Sequence, residues 1–466
     1  MQLCNYNTYN LYTNQPNQTN PTQYNNMNFF AMTSLYNGNI PDISFSFTPT
    51  RHHRVAPGAD HSEHLDNGEY DDRHDCDDER ENRCIVSNSI YHYLCESKKS
   101  IETCDVDDWD AMKKYTNPYE FIHTVVPGHK CAISKLKPLS RSFYKMIEII
   151  KHCKLLPYCA TTAIQTFHLA EGPGGFIEAL VHIRSNQDDV YHGMTLVDDR
   201  CFSCPGWKKS RAFLDRNPNV RLEYGADGTG DLLNISNYDA CCTKYLQQMQ
   251  FISADGGFDF SSNFNNQETL AQNLIVAEVL YAISMQKPGG TFVLKIFDIF
   301  TKVTVDLLHL LCCVYDDVII FKPNTSRIAN SEKYVVCKQF NVRDMAIHAD
   351  LISKFRHFFI TVGKPPSSSS SSAIDLVGSA VASVLSTEQH NLHLLTRIEE
   401  INAILGQQQI ENIATTVSLI QSRTYDRLEA YKRANIQKCI AWCDRYDIAC
   451  NKTTVSTNTF IPFISN

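Results

Sequence analysis

No stretch of this 466-residue chain is apolar for long enough to cross a bilayer. The most apolar long segment, Val303 to Phe321, is broken by Asp306, His309, Asp316 and Asp317, whereas a spanning helix needs about 20 mostly apolar residues. Met1-Gln-Leu-Cys-Asn-Tyr-Asn7 lacks the basic and then apolar regions of a secretory leader. Positive charge is also short. Forty-three Lys and Arg face 51 Asp and Glu, a net charge of −8, which excludes a generally basic nucleic-acid coat. A local basic groove stays open, because acidic residues crowd between Asp60 and Asp108. Zinc spacing is missing. Cys201 and Cys204 form a lone Cys-x-x-Cys pair, and His61, His64, His74, Cys76 and Cys84 lie in a solvated Asp/Arg/Gly-rich stretch. The 18 cysteines are scattered rather than framework-like. These absences predict an intracellular chain with reduced thiols and no metal, with nucleus and cytoplasm both open.

Two phosphate-binding signatures are absent as well, G-x-G-x-x-G and the Gly-Lys-Ser/Thr of a phosphate loop. In their place stands Phe167-His-Leu-Ala-Glu-Gly-Pro-Gly-Gly-Phe-Ile-Glu-Ala-Leu180. It reads as a buried strand, an acidic residue at its carboxyl end, a glycine turn and a helix. Glycines there let the backbone approach a ligand without Cβ interference. In open α/β sheets, ligands sit at the carboxyl ends of strands beside helix amino termini. A carboxylate facing such a turn suits a ribose hydroxyl or an ammonium group better than a pyrophosphate, and S-adenosylmethionine offers both. An ordinary turn between strand and helix is the plain alternative.

Residues 1–85 divide into an Asn/Tyr/Gln/Thr-rich arm to about residue 50 and a His/Asp/Arg-rich stretch; both are expected to be disordered. Short amphipathic helices are expected around Tyr91 and Trp109, then a helix over Ser140–Cys153 with Phe143, Met146, Ile147 and Ile150 on one face. Strands are expected at 167–170, 191–197, 220–223, 249–254, 290–296, 317–321 and 334–338. Helices are expected at 174–184, 208–216, 268–286 and 301–313, with Pro288-Gly289-Gly290 as a turn before a strand. This alternation predicts a doubly wound α/β domain over 86–364, Rossmann-like with helices on both faces, whose late pair of strands could be antiparallel. Residues 365–373 read as a Pro/Ser linker. Residues 374–466 read as a helical C-terminal appendage of three or four helices, with Leu394, Ile398, Ile401 and Leu405 at core spacing.

Four more places carry chemistry. Phe251-Ile-Ser-Ala-Asp-Gly-Gly257 puts Asp255 at a strand's carboxyl end, aimed at the crevice of Glu171. Lys295 interrupts an apolar strand, and an unpaired buried ammonium is costly, so it must be paired or functional. Lys322-Pro-Asn-Thr-Ser-Arg-Ile-Ala-Asn-Ser-Glu332 supplies Ser326, Arg327, Asn330, Ser331 and Glu332. Lys145 is expected on the polar side of its helix. Two lysines and two carboxylates at one crevice suit a hydroxyl nucleophile, whose proton must be held or removed. A neighbouring lysine and desolvation lower a lysine's pKa toward that task, while the carboxylates orient the ammonium groups. Lys208, Lys209 and Arg211 form the best basic cluster near this face, with Lys113/Lys114 and Lys135/Lys137 as others. Arg327 matches phosphate geometry.

On these residues the chain resembles the FtsJ-like RNA 2'-O-ribose methyltransferases, most closely their mRNA cap-specific branch. The resemblance spans about Asn117 to at least Phe340. Lys145, Asp255, Lys295 and Glu332 fall at the positions of that family's Lys-Asp-Lys-Glu tetrad. The cap branch is indicated by Asn117-Pro-Tyr-Glu120, Glu171-Gly-Pro-Gly-Gly-Phe176, Gly193-Met-Thr-Leu196, Asp255-Gly-Gly-Phe258 and the block from Lys322 to Cys337. The resemblance implies transfer of a methyl group from S-adenosylmethionine to a ribose 2'-hydroxyl at the 5' end of capped mRNA. It implies Lys295 as base or hydroxyl-orienting residue, completed by Lys145, Asp255 and Glu332. It implies cofactor contacts from Glu171, Gly172, Gly174, Gly175 and Asp255, with Asp227 or Asp231 near the ribose or adenine. Substrate contacts are expected from Ser326, Arg327, Lys208 and Lys209.

The chain departs from the family pattern over Asp198–Arg216, and no G-patch, WW-like or guanylyltransferase-like module is recognisable. Two other readings remain at this point. One is the same chemistry on ribosomal or transfer RNA, and the other a catalytically silent cap- or RNA-binding subunit. Protein partners would come through the arm or the C-terminal helices.

Overall fold

The computed structural model describes residues 84–156, 162–197, 206–257, 265–362 and 392–451, and the backbone of a strand at 44–47. The 365–373 tract, the Cys201/Cys204 pair and the histidine-rich stretch lie outside these residues, as does most of the amino-terminal arm. The exception in the arm is β1 (Ser44–Phe47), which pairs antiparallel with a late strand, so part of a segment expected to be disordered is structured. The carboxyl end of that segment is also engaged, since Cys84 bridges to Thr301 and the Ile85 amide donates to Phe300 O.

The sheet holds β2 (Gln165–Leu169), β3 (Val190–Met194), β4 (Val220–Glu223), β5 (Met249–Ala254), β6 (Gln286–Ile296), β7 (Tyr315–Phe321) and β8 (Lys333–Phe340) besides β1. Their order is β1-β7-β8-β6-β5-β2-β3-β4. From β2 the chain winds outward through β3 and β4, then returns to the other side of β2 as β5 and β6, all parallel. A crevice therefore opens where the winding reverses, at the carboxyl ends of β2 and β5. The expected antiparallel pair resolves into one inserted strand. β8 runs antiparallel to both β6 and β7, which brings its amino end beside the carboxyl end of β6. The Pro288-Gly289-Gly290 turn is instead an irregular part of β6, where the pairing with β5 shifts register.

Helices α1 (Asn88–Glu102), α2 (Val106–Thr116) and α3 (Ser142–His152) precede the sheet. α4 (Gly175–Arg184), α5 (Arg211–Arg216), α6 (Ile235–Tyr245), α7 (Gln267–Met285) and α8 (Lys302–Val314) connect its strands. α9 (Met345–Val362), α10 (Leu392–Gln421) and α11 (Tyr425–Arg445) follow it. Strand side chains alternate between faces, and this divides the core in two. Phe292, Leu294 and Ile296 of β6 join a cluster with α6 to α10, while Val293 joins one with α3 to α5 and α11. The helices beyond the Ser-rich tract thus pack into the same two cores as the sheet. Leu394, Ile398, Ile401 and Leu405 lie in the first, and Ile436, Cys439 and Trp442 in the second. No helix among the described residues is long and apolar enough to cross a membrane.

Candidate active site

Strand ends deliver the polar groups to the crevice. Asp255 directly follows β5, and Lys295 is the penultimate residue of β6. Lys295 lies opposite Tyr334 in the ladder, so the antiparallel β8 carries Glu332 to the same place. Lys145 comes from α3. That helix is buried from Ser142 to Ile150, so Lys145 does not sit on a solvated face as its spacing implied. An amphipathic pattern marks one buried face; α3 is covered on the other by α11 and the loop after β7, neither of them local in sequence.

The four side chains meet. Lys145 Nζ is 2.6 Å from Glu332 Oε1, and Lys295 Nζ is 3.3 Å from Asp255 Oδ1 while donating to Asp255 O at 2.7 Å. Tyr334 OH joins the pairs, donating to Asp255 Oδ1 at 3.0 Å and lying 3.4 Å from Glu332 Oε1. The four side chains keep only 7% to 15% of their exposure. Lys295 marks the open side, since a Cβ on exposed Gly257 would stand 3.0 Å from its Nζ.

Electrostatics separate the lysines. Burial pulls Lys295 down, but Asp255, Glu332 and Glu278 together hold its pKa above the ordinary value. Burial lowers Lys145, helped by Arg141 and Lys295 and opposed by Glu332 and Asp255. Burial would raise Glu332, yet Lys145, Lys295 and Arg141 keep it ionised far below the usual carboxylate range.

A third carboxyl, Glu278 of α7, is fully enclosed behind Asp255 and accepts Gly256 N–H at 3.2 Å. Burial raises its pKa to about 8, with Asp255 adding and Lys295 opposing. A carboxyl raised on folding weakens the fold as pH climbs from its unfolded value of about 4.3 to its folded one, because only the unfolded chain ionises it freely. Glu278→Gln keeps the acceptor for Gly256. Its melting temperature is expected to gain on the wild type between pH 5 and pH 8. Melts showing a pH-independent gap would refute this.

Beside these groups lies the glycine turn. Glu171 Oε1 accepts Phe176 N–H at 2.5 Å, whereas Oε2 is buried with no hydrogen-bond partner among the described residues. Burial, and then Asp255, raise Glu171 well above the usual carboxylate range. Gly174 caps α4 at φ 103°. At Gly172 a Cβ would come within 2.6 Å of Gly206 O and 3.0 Å of Thr195 Cγ2. An orphaned buried oxygen next to backbone with no room for a side chain fits a ligand that brings an ammonium or hydroxyl donor, as S-adenosylmethionine does.

The FtsJ-like methyltransferase family model matches residues 138–340, a span that carries all four tetrad residues and the glycine turn. This span is an FtsJ-like methyltransferase domain. Cap-specific mRNA (nucleoside-2'-O-)-methyltransferase 1 of Mus musculus is 32% identical over 261 residues, covering 54% of this chain and 31% of that protein. The Homo sapiens protein of that name is 31% identical over the same length and shares. Cap-specific mRNA (nucleoside-2'-O-)-methyltransferase 2 of Danio rerio is 29% identical over 280 residues, 55% of this chain and 35% of that protein. The chain thus spans about a third of the length of these relatives.

The other sequence-predicted residues take varied places around the FtsJ-like domain. Asp227 spends its carboxylate on its own turn, accepting Thr229 N–H, Thr229 Oγ1–H and the Asn234 amide. Those bonds, led by the Thr229 amide, lower its pKa to about 2. Asp231 accepts Leu233 N–H at 2.9 Å. Their loop packs on the end of β3, where a Cβ on Gly230 would meet Thr195 O at 2.1 Å. Lys208 and Lys209 are exposed in the turn before α5, next to Trp207, whose ring packs against Gly174 and Gly193. Ser326 is buried, with its hydroxyl 3.3 Å from Asn330 Oδ1.

Arg327 is not a free guanidinium awaiting phosphate. It is paired with Glu120 through Nε at 3.0 Å and Nη2 at 2.6 Å. Asn117 Oδ1 accepts Ile328 N–H at 2.8 Å, so the two motif blocks interlock. Sequence reasoning missed Tyr334, Glu278 and Arg141. Tyr334 was visible only as a motif letter. Glu278 was hidden in an apolar helix, although an acidic residue there is itself the signal.

Proposed function

We propose that this chain transfers a methyl group from S-adenosylmethionine to a ribose 2'-hydroxyl next to the 5' cap of mRNA. The observation that carries the reading is the convergence of Lys145, Asp255, Lys295 and Glu332 beside the orphaned Glu171 oxygen. Glu171 would hold the cofactor's donor groups beside Gly172, Gly174 and Gly175, whose missing side chains let Gly206, Trp207 and Ser140 pack close around the turn. When bound, that cofactor supplies an electrophilic methyl group. Lys295, kept as an ammonium on the open side, orients the hydroxyl oxygen and stabilises the negative charge that develops on it. Lys145 is shifted in the direction a proton acceptor needs, and Glu332, itself beside Tyr334 OH, fixes its position. The low exposure of the site keeps water from competing with the hydroxyl.

The cap-specific choice rests on the relatives' names and on the Asn117–Glu120 block, which is locked to Arg327 and Ile328 at the edge of the tetrad. Lys208 and Lys209 are the exposed cations best placed to meet RNA phosphates. Protein partners would use the amino-terminal arm or the C-terminal helices. The test is transfer of labelled methyl to matched short RNAs, capped and uncapped, with the label located at a ribose. Labelling confined to capped RNA is expected. Equal labelling of uncapped RNA would move the assignment to ribosomal or transfer RNA. No labelling with cofactor still bound would leave a silent binding subunit.

A further inference from the structure

Three residues along one side of α3 and its N-cap grip a single loop. Arg141, Lys145 and Glu148 recur at spacings of four and three, which stacks them along one side of a helix. Arg141 Nη2 is 3.4 Å from Thr325 O, and Lys145 holds Glu332. Glu148 does the most. It is fully buried, and its carboxylate takes donors from two directions. Oε1 accepts Asn324 N–H at 2.7 Å. Oε2 accepts Thr325 N–H at 3.1 Å, Thr325 Oγ1–H at 3.0 Å and the indole N–H of Trp442 at 3.2 Å.

The loop closes on itself as well. Lys322 Nζ donates to Asn330 O at 2.7 Å and Glu332 O at 2.8 Å, so Asn324 and Thr325 cannot move far without moving Glu332. The path forms a ring. It runs from Glu148 to Thr325, along the loop to Glu332, across to Lys145, and back down one turn of α3. Trp442 ties α11 into this ring from outside the 138–340 span.

We infer that Glu148 is a positioning residue for the methyl-transfer site, holding the 322–332 loop so that Glu332 meets Lys145, with Trp442 as its link to the C-terminal helices. The inference rests on the proposed function for its catalytic readout, though not for its structural one. A carboxylate is required because both oxygens accept from N–H groups. Glutamine would set an amide N–H₂ against either Asn324 N–H or the Thr325 and Trp442 donors. A buried donor facing a donor releases one side of the grip.

Glu148→Gln is therefore expected to lower kcat about tenfold or more, since small misplacements of catalytic groups are costly. KM and binding for S-adenosylmethionine should stay within about twofold, because the donors Glu148 holds come from Asn324, Thr325 and Trp442 and not from the glycine turn. The discriminating readout is a double-mutant cycle. If Glu148 acts through Glu332, adding Glu148→Gln to Glu332→Gln should cost less than about twofold more. A full additional loss, or a kcat of Glu148→Gln within about twofold of wild type, would overturn the inference. A merely structural role gives additive losses and weakens cofactor binding as well.

Hydrogen exchange supplies the readout independent of activity. In Glu148→Gln the amides of 322–332 should exchange faster while those of β2 and the glycine turn stay unchanged. Unchanged exchange in the loop would overturn the inference even if no RNA were methylated. Wild-type protein that labels neither RNA would sink the proposed function instead. Should Glu148→Gln fail to fold, Trp442→Phe removes one donor only. It is expected to lose about threefold in kcat and to show the same non-additivity with Glu332→Gln. Additive losses there would again overturn the inference.

Discussion

Lys295→Met is expected to abolish methyl transfer while leaving cofactor binding within a few-fold of wild type. The reason lies in where the ammonium sits and what surrounds it. Lys295 donates to Asp255 O at 2.7 Å and faces the open side of the crevice past Gly257. Methionine keeps the length of an unbranched chain among the apolar neighbours of β6, but removes the charge that orients the hydroxyl. Asp255 retains the Tyr334 hydroxyl at 3.0 Å, so the strand end keeps one of its fixings. Removing a preorganised donor that stabilises developing charge costs about 10²–10³-fold, and a loss near 10³-fold corresponds to about 4 kcal/mol of barrier.

Single-turnover transfer to capped RNA, paired with calorimetric binding of S-adenosylmethionine, separates the outcomes. Transfer within about tenfold of wild type would remove Lys295 from the chemistry and leave Lys145 to carry it. Lost binding in parallel with lost transfer would mean that the ammonium shapes the cofactor site. Lys295→Arg keeps a cation but replaces a compact ammonium with a planar fork, so it is expected to rescue little.

How much of this could be read from the sequence depends on whether the information was local. The strands feeding the crevice were legible because each is a short apolar run, and the acidic residues at their ends stood out against them. β2, β4 and β5 fall within two residues of their expected bounds. Lys295 was legible for the opposite reason, as a charge inside an apolar strand. The direction of β8 was not legible. A strand's pattern records which side chains are buried and not which way it runs between its neighbours.

The surroundings of α3 were hidden for a related reason. Glu148 meets Trp442 and Asn324 across sequence separations of 294 and 176, and such pairings leave no periodic trace. The same holds for Glu120 and Arg327, 207 residues apart, whose pairing takes up two of the Arg327 nitrogens. Glu278 went unread because an apolar helical window with one acid looks like any core helix. The acid was itself a signal of something paired or functional, but what it serves shows only in its enclosed position behind Gly256. Local pattern therefore located the crevice and much of its equipment, while the supports that fix the equipment became visible only in three dimensions.

Those supports make the glycine turn the most fragile part of the site, and Gly172→Ala is expected to weaken S-adenosylmethionine binding about a hundredfold or more. The added Cβ would sit 2.6 Å from Gly206 O and 3.0–3.1 Å from the Thr195 side chain. Backbone oxygen cannot swing aside as a flexible side chain can, so either the turn or the segment at Gly206 must shift. Both choices disturb the crevice. Thr195 also lies under Gly230, and a displacement there spreads to the loop of Asp227 and Asp231. Gly228 provides the control. Its φ is positive, 79°, which that of Gly172 is not, but a Cβ there would meet nothing within 4 Å. Gly228→Ala carries only the conformational strain, about 1 kcal/mol, with little effect on binding. Equal losses in the two variants would mean that the crowding at Gly172 is not what weakens binding. A Gly172→Ala protein that binds cofactor normally would place the ligand elsewhere than against this turn.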